Sequence, residues 1–271
     1  MNYLKSISEV RDRFLSEVEK NNDLFHPLDI ERVKTEEWQV RRFLIEYNNN
    51  TDKALKYLIK AMKWKKEFGI HLFKDEMWPK EFYDIARAEV VGETNDGHLI
   101  QWEVLRSQYD FIELHEFYKQ CIATTVEKYD RIAKEKGMIT VIDAVDMGIS
   151  NVNLDITKFK NQLRDYYPCL CKGVYIVDHA WYLLPFSKVF IAVLSPTLRN
   201  LIKFVSSEEL QTLINPKYIP KALKGDRNDY IPLSKGISIA DETMMTTLGI
   251  DGRFIDKFFN ITKLERSMTK T

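Results

Sequence analysis

The stretch from Tyr166 to Phe204 limits what this chain can fold into more than any other, because two short apolar runs there bracket a segment with almost no polar side. Gly173 to Val177 and Ile202 to Val205 have the length and the β-branched or aromatic content of strands buried on both faces. Between them, Leu183 to Leu194 offers only Ser187 and Lys188 as polar side chains, which predicts a helix that is apolar nearly all round. Such a helix must be covered on every side, yet the Ser195-Pro196 break stops it early. A movable cover over an apolar cavity satisfies both demands.

The 271 residues can bury one sizeable core and a smaller helical appendage. Forty basic and forty acidic residues cancel, so a broad surface for neutralising phosphates, and with it a nucleic-acid partner, is not expected. Three cysteines, Cys121, Cys169 and Cys171, are too few for a disulfide framework and suit reduced thiols. The opening MNYLKSISEVRDRF lacks the apolar core of a secretory signal, and no run is long enough to span a bilayer. A cytoplasmic monomer whose membrane contact is peripheral and transient is the expectation.

Residues up to about 70 read as consecutive helices, one from Ser8 onward, one over Asp29 to Tyr47 and one over Thr51 to Phe68. His26-Pro27 interrupts the first, Asn48-Asn49-Asn50 ends the second, Thr51 or Asp52 is the expected cap of the third, and Gly69 stops it. From Val90 the pattern changes to alternating strand and helix. Val90-Val91 and Leu99 to Leu105 flank Asp96-Gly97, a hairpin signal. A long helix over Ile112 to Lys136 places Tyr118, Cys121, Ile122, Thr125, Tyr129 and Ile132 on one side. A strand at Met138 to Asp143, a helix at Leu154 to Tyr167 and a strand at Gly173 to Asp178 follow. A helix over Ser207 to Ile214 closes this part, and Leu248 to Leu264 predicts an amphipathic helix interrupted by Gly249 and Gly252. The alternation argues for an α/β domain with a mostly parallel sheet.

Several runs carry a resemblance. Arg42-Phe43-Leu44, Ala54-Leu55 and Trp64-Lys65-Lys66-Glu67-Phe68 resemble the small N-terminal helical module of the CRAL-TRIO family. Ile142-Asp143, Tyr166-Tyr167-Pro168 and SSEEL…LINPKYIPKALKG are similar, in the family's own order, to its lipid-binding domain. Within the family, the YYPCLCKG run with VDMGISNVNLDI upstream is most similar to the branch that includes motile sperm domain proteins. The resemblance implies three regions: a helical module at 1–75, a CRAL-TRIO α/β domain with a gate helix over an apolar cavity at 76–232, and a C-terminal extension at 233–271.

Catalytic chemistry is not in the pattern. GxGxxG, Walker, HExxH, GxSxG and paired CxxC motifs are all absent, and the five histidines are scattered, so neither an enzyme nor a cofactor or metal is expected. Asp143 and Asp146 are expected to cap the loop after their strand. Binding a lipid needs only a lined cavity and an exit. Ten buried methylenes would supply roughly 8 kcal/mol before ordering costs. The expected lining is Val174, Ile176, Phe186, Phe190, Leu194, Ile202 and Phe204, with Met138, Thr140 and Ile142 from the neighbouring strand by period-2 alternation. Trp102, Val104 and Leu201 complete it, and Lys188, Arg199 and Lys203 beside the gate are the expected membrane contacts.

One departure bears on the ligand. By resemblance, the phosphatidylinositol-transfer branch has a Glu directly after Tyr-Tyr-Pro and a Lys five residues after the proline that ends the gate helix. Cys169 and Leu201 stand there in this chain. Of the two hydroxyl residues that hold phosphocholine in that branch, Thr140 is present and Met138 replaces the other. A site this apolar cannot satisfy the hydroxyls of an inositol. A carrier or sensor of a more hydrophobic ligand is therefore expected rather than a phosphatidylinositol exchanger. The alternative is an interaction or membrane-tethering module that moves no lipid.

Overall fold

The computed structural model describes residues 3–86, 89–105, 108–148, 151, 153–178, 191, 192, 194, 196–228 and 236–264. Five strands, β1 (Glu89–Glu93), β2 (Leu99–Val104), β3 (Met138–Asp143), β4 (Cys171–Val177) and β5 (Ile202–Val205), lie in the sheet in chain order. β1 pairs with β2 as an antiparallel hairpin, and β2 through β5 run parallel. Parallel neighbours in chain order, joined by crossovers of one hand, send every connecting helix to the same face. That face receives α6 (His115–Ala133) between β2 and β3 and α7 (Leu154–Tyr166) between β3 and β4.

The opposite face is closed differently. A short helix at Pro196–Arg199 (α8) precedes β5 on the α6 and α7 side, where its Leu198 lies, while on the opposite face α9 (Ser207–Leu213) follows β5 into turns at Pro216–Tyr218 and Lys221–Leu223. Leu210, Ile214, Ile219 and Leu223 from this strap pack on Ile100, Trp102, Val141, Val177 and Val205 of the sheet, all buried. Gly92 of β1 lets the strap come close, since a Cβ there would lie 2.2 Å from the Tyr218 ring.

The N-terminal helices are α1 (Leu4–Lys20), α2 (Pro27–Thr35), α3 (Glu37–Glu46) and α4 (Thr51–Phe68). The single helix expected over Asp29 to Tyr47 is two, broken at Glu36, whose backbone is extended. Thr35 donates its hydroxyl to the carbonyl of Glu31 at 2.8 Å, a back-bond that bends helices. The cap of α4 is Asn50, which accepts from the Lys53 amide at 2.9 Å, one residue ahead of the expected Thr51 or Asp52. Gly69, left-handed with φ 74°, ends it as expected.

These helices do not form a separate core. Val10, Phe14, Phe43, Leu44 and Leu58 share one cluster with Ala123, Tyr129, Met138, Leu163 and Tyr167. Arg42 fastens the two parts. Its guanidinium takes both carboxylate oxygens of Asp130, at 2.8 and 2.6 Å, and donates twice to the Pro168 carbonyl, at 2.9 and 2.7 Å. Trp64 of α4 stacks on Tyr166, ring centroids 4.1 Å apart and planes 7° off parallel. The RFL, W-K-K-E-F and YYP runs are thus joints between helices and sheet domain.

Past the strap, α10 (Glu242–Leu248) and α11 (Gly252–Thr262) replace the one interrupted helix expected over Leu248 to Leu264. Gly249, at φ 66°, ends α10. Both pack back on Trp78, Phe82, Phe111 and Leu114, and α5 (Lys80–Ala86) holds their entry. Buried Glu81 accepts from the Ser238 hydroxyl at 2.7 Å and from the Ile239 amide at 2.8 Å.

Candidate binding cavity

Helices gathered on one sheet face leave a space wherever their side chains fail to reach the strands. Here that space is a cavity of about 560 Å³, in the range of small-molecule sites. Its floor is the sheet: Gln101 and Glu103 from β2, Met138, Thr140 and Ile142 from β3, Val174 and Ile176 from β4, and Ile202 and Phe204 from β5. The register aligns them, pairing Gln101 with Thr140, Thr140 with Val174, and Val174 with Ile202. One wall is the expected face of α6, with Tyr118, Cys121, Ile122, Thr125 and Tyr129; Ile132 is 55% exposed and lies outside it. α7 supplies Ile156, Lys160, Leu163 and Arg164, and Ile191, Leu194 and Leu198 come from the segment before β5.

Met138, Thr140, Ile142, Val174, Ile176, Leu194, Ile202 and Phe204 therefore line the cavity as the alternation indicates. Trp102 and Val104 do not. The β2–β3 register pairs Trp102 with Val141 and Val104 with Asp143, on the opposite face of the sheet. Leu201 is not in the lining either; its carbonyl accepts from the Val174 amide at 2.9 Å. Phe186, Phe190 and Lys188, with most of the expected gate helix, lie outside the described residues.

β5 is not buried on both faces: Lys203 is exposed and Phe204 is 41% exposed, because among the described residues this strand is the edge of the sheet. Lys203 sits over the Tyr175 ring, 5.7 Å from its centroid, on the face away from the cavity. Arg199 is exposed on the cavity side, where its Nε donates to the Leu194 carbonyl at 3.1 Å. The two expected membrane contacts thus point to different sides. Cys169 also turns away, with its Sγ 3.5 Å from the Arg42 carbonyl.

The comparisons with known proteins agree with this architecture. The sequence model of the family described as CRAL/TRIO domain matches residues 98–225, from β2 through the strap. This chain carries a CRAL/TRIO domain. The crystal structure of Sfh5 has the same fold, with a TM-score of 0.59 at 15% identity over 94% of this chain and 100% of that one. CRAL/TRIO is a lipid-binding family, so the domain brings binding rather than catalysis.

Gln101 and Glu103 on the floor of this CRAL/TRIO cavity, and Lys160 above them, are what the sequence reading missed beside the expected Thr140. Thr140 donates to Gln101 at 3.4 Å, Gln101 to Glu103 at 3.3 Å, and Lys160 of α7 to Glu103 at 2.8 Å. This ladder crosses two strands and ends on a helix, and each step satisfies a group that would otherwise be costly to bury. Its only signal in sequence is the alternation of Gln101 and Glu103 within an apolar strand. Behind the α6 wall, Glu127 accepts from Lys65 at 2.8 Å, Arg32 at 3.1 Å and Arg131 at 2.7 Å. Burial opposes its charge, yet Lys65 and then Arg131 hold the Glu127 carboxyl far below the usual range. Asp143 accepts from the Val145 amide at 3.0 Å, the expected loop cap.

A second cluster lies outside the cavity. His26, Asp29 and His71 bring three ligand-type atoms within 4.8 Å of one another. Each of the three already makes a hydrogen bond within the fold. His71 bonds Asp29 at 2.6 Å, Arg32 pairs with Asp29 at 3.5 Å, and the His26 Nδ1 accepts from the Leu28 amide at 3.2 Å. With Nδ1 accepting, the proton of neutral His26 sits on Nε2, and the two rings stack at 4.1 Å instead of converging. This arrangement is a helix cap and a packing contact.

Proposed function

We propose that this protein takes a hydrophobic, lipid-like molecule into the cavity of its CRAL/TRIO domain and carries, senses or presents it at membranes, with the apolar segment around 183–194 as the gate. The observation that carries the reading is the hollow itself, about 560 Å³ walled by a sheet face and two helices and lined largely by apolar side chains. Ile191 and Leu194 support the gate assignment, since both come from that segment and both face the cavity. Among the described residues no helix is long and apolar enough to cross a membrane, which favours a peripheral encounter. Exposed Arg199, on the gate side, suits an anionic surface, where a basic residue contributes about 1 kcal/mol.

Phosphatidylinositol is disfavoured as ligand. Position 169 faces α3 rather than the cavity, and position 201 is an apolar residue outside the lining. Transfer of a fluorescent lipid between donor and acceptor vesicles tests the proposal, with loss of donor signal only in the presence of protein as the expected result. Vesicle binding with no movement of lipid would support the tethering module instead. Stoichiometric phosphatidylinositol in native mass spectra of protein purified from cells would overturn the ligand assignment.

A further inference from the structure

The proposed carrier function leaves open what the ligand must present at its polar end, and one side chain bears on this. We propose that the Tyr118 hydroxyl is the hydrogen-bonding anchor for an uncharged lipid that carries a single hydroxyl or carbonyl oxygen. The inference rests on the reading of the hollow as a lipid site.

Tyr118 lies on the α6 wall, held by the Phe82 ring at 4.3 Å between centroids, so its ring direction is fixed. Its hydroxyl oxygen is buried from solvent and has no hydrogen-bond partner among the described residues. Neighbouring hydroxyls on this side are committed: Tyr83 donates to the Asp75 carbonyl at 2.8 Å, and Thr125 to the Cys121 carbonyl at 2.9 Å. Buried hydroxyls without a partner are rare because they forfeit their hydrogen bond to water. An oxygen on a ligand in the cavity would restore it. Burial first, and then the nearby Cys121, push the Tyr118 phenol well above its ordinary range, so it stays a neutral donor and acceptor at any physiological pH.

The charges around the cavity argue that the ligand is uncharged. The described lining holds Asp75, Glu103 and Asp110 against Lys128, Lys160 and Arg164. Asp75 pairs with Lys128 at 2.8 Å and Glu103 with Lys160 at 2.8 Å, while Asp110 accepts from His115 at 2.5 Å and from Asn153 at 2.7 Å. At Lys128 or Lys160 a phosphate or carboxylate would have to break an existing pair to gain its own. An alcohol or carbonyl meets no such competition at Tyr118.

Displacement of the apolar fluorophore 1,6-diphenylhexatriene from the purified protein, by dodecane, dodecanol or dodecanoate, tests the assignment. Wild type should bind dodecanol about tenfold more tightly than dodecane, the gain of one buried hydrogen bond. Tyr118→Phe should bring that ratio within about twofold while leaving dodecane and the fluorophore unchanged. Its thermal midpoint should stay the same or rise, because the lost hydroxyl has no partner among the described residues. An unchanged alcohol preference in Tyr118→Phe would overturn the proposal, as would a lower midpoint or tightest binding by dodecanoate. If wild type takes up none of the fluorophore, the lipid site itself fails and the anchor with it, a result distinct from every other outcome.

Discussion

The two faces of the sheet are built from alternate residues of the same strands, and they have opposite fates. One carries Ile100, Trp102, Val141 and Val177 against the strap and is packed solid. The other carries Gln101, Glu103, Thr140, Ile142 and Val174 and is left hollow. In a filled core the polar members would be a liability, whereas over a cavity they face space where a ligand's polar atoms can lie. The hollow face gives up packing energy to keep room, and the packed face supplies the stability that makes this tolerable.

The sharpest way to break this comparison is to empty the packed face. Trp102→Ala should cost about 3–5 kcal/mol in chemical denaturation, the range for a large buried aromatic, with the remaining folded protein still binding an apolar probe. A loss under 1 kcal/mol would mean that this face is not the one that holds the domain together.

Acid should act on the other side. The Glu127 carboxyl is held far below its ordinary range in the folded protein, so its stabilising contribution is complete above the unfolded value near pH 4 and is lost as pH falls towards the folded value. Stability should therefore drop by about 2 kcal/mol or more on strong acidification. Lys65→Met should flatten that slope, and an equally steep curve in the variant would remove Glu127 from the account.

Overpacking probes the two faces at adjacent positions. Val141→Phe, on the packed side, should cost about 1–3 kcal/mol. Ile142→Phe, on the hollow side, should change stability by less than about 1 kcal/mol and weaken probe binding more than tenfold, because the new ring occupies ligand space. Similar stability losses for both would show that the cavity closes up in solution.

The smallest expected effect is at the membrane. Arg199→Ala should weaken binding to anionic vesicles by about 1 kcal/mol, while Lys203→Ala, on the opposite face, should leave it unchanged. Equal losses in co-sedimentation would place both faces at the bilayer.

Much of the fold was legible in the sequence because strands and helix stops announce themselves locally. Met138 to Asp143 and Ile202 to Val205 are strands at the expected residues, Gly69 stops α4, and the Asp96-Gly97 turn closes the hairpin. The expected lining went astray at Trp102 and Val104, where apolar character suggested a lipid wall and the register assigned the polar alternates to it. Register depends on the partner strand, and a one-residue shift exchanges the faces. The break at Glu36 carried no Gly or Pro, and the Asn50 cap competed with two equally good candidates beside it. Tyr118 was legible as part of the α6 stripe, but that its hydroxyl has no partner among the described residues is a fact of three dimensions.

The Arg42 joint has a consequence for how the chain reaches this structure. The arginine is separated by 88 residues from Asp130 and by 126 from the Pro168 carbonyl, and closing so long a loop is entropically costly and slow. On a ribosome the first four helices emerge long before either acceptor exists, and their core remains open until Leu163, Tyr167 and Leu170 arrive to fill it. Helices made well before their acceptors are thus among the last parts of this fold to be fixed in place.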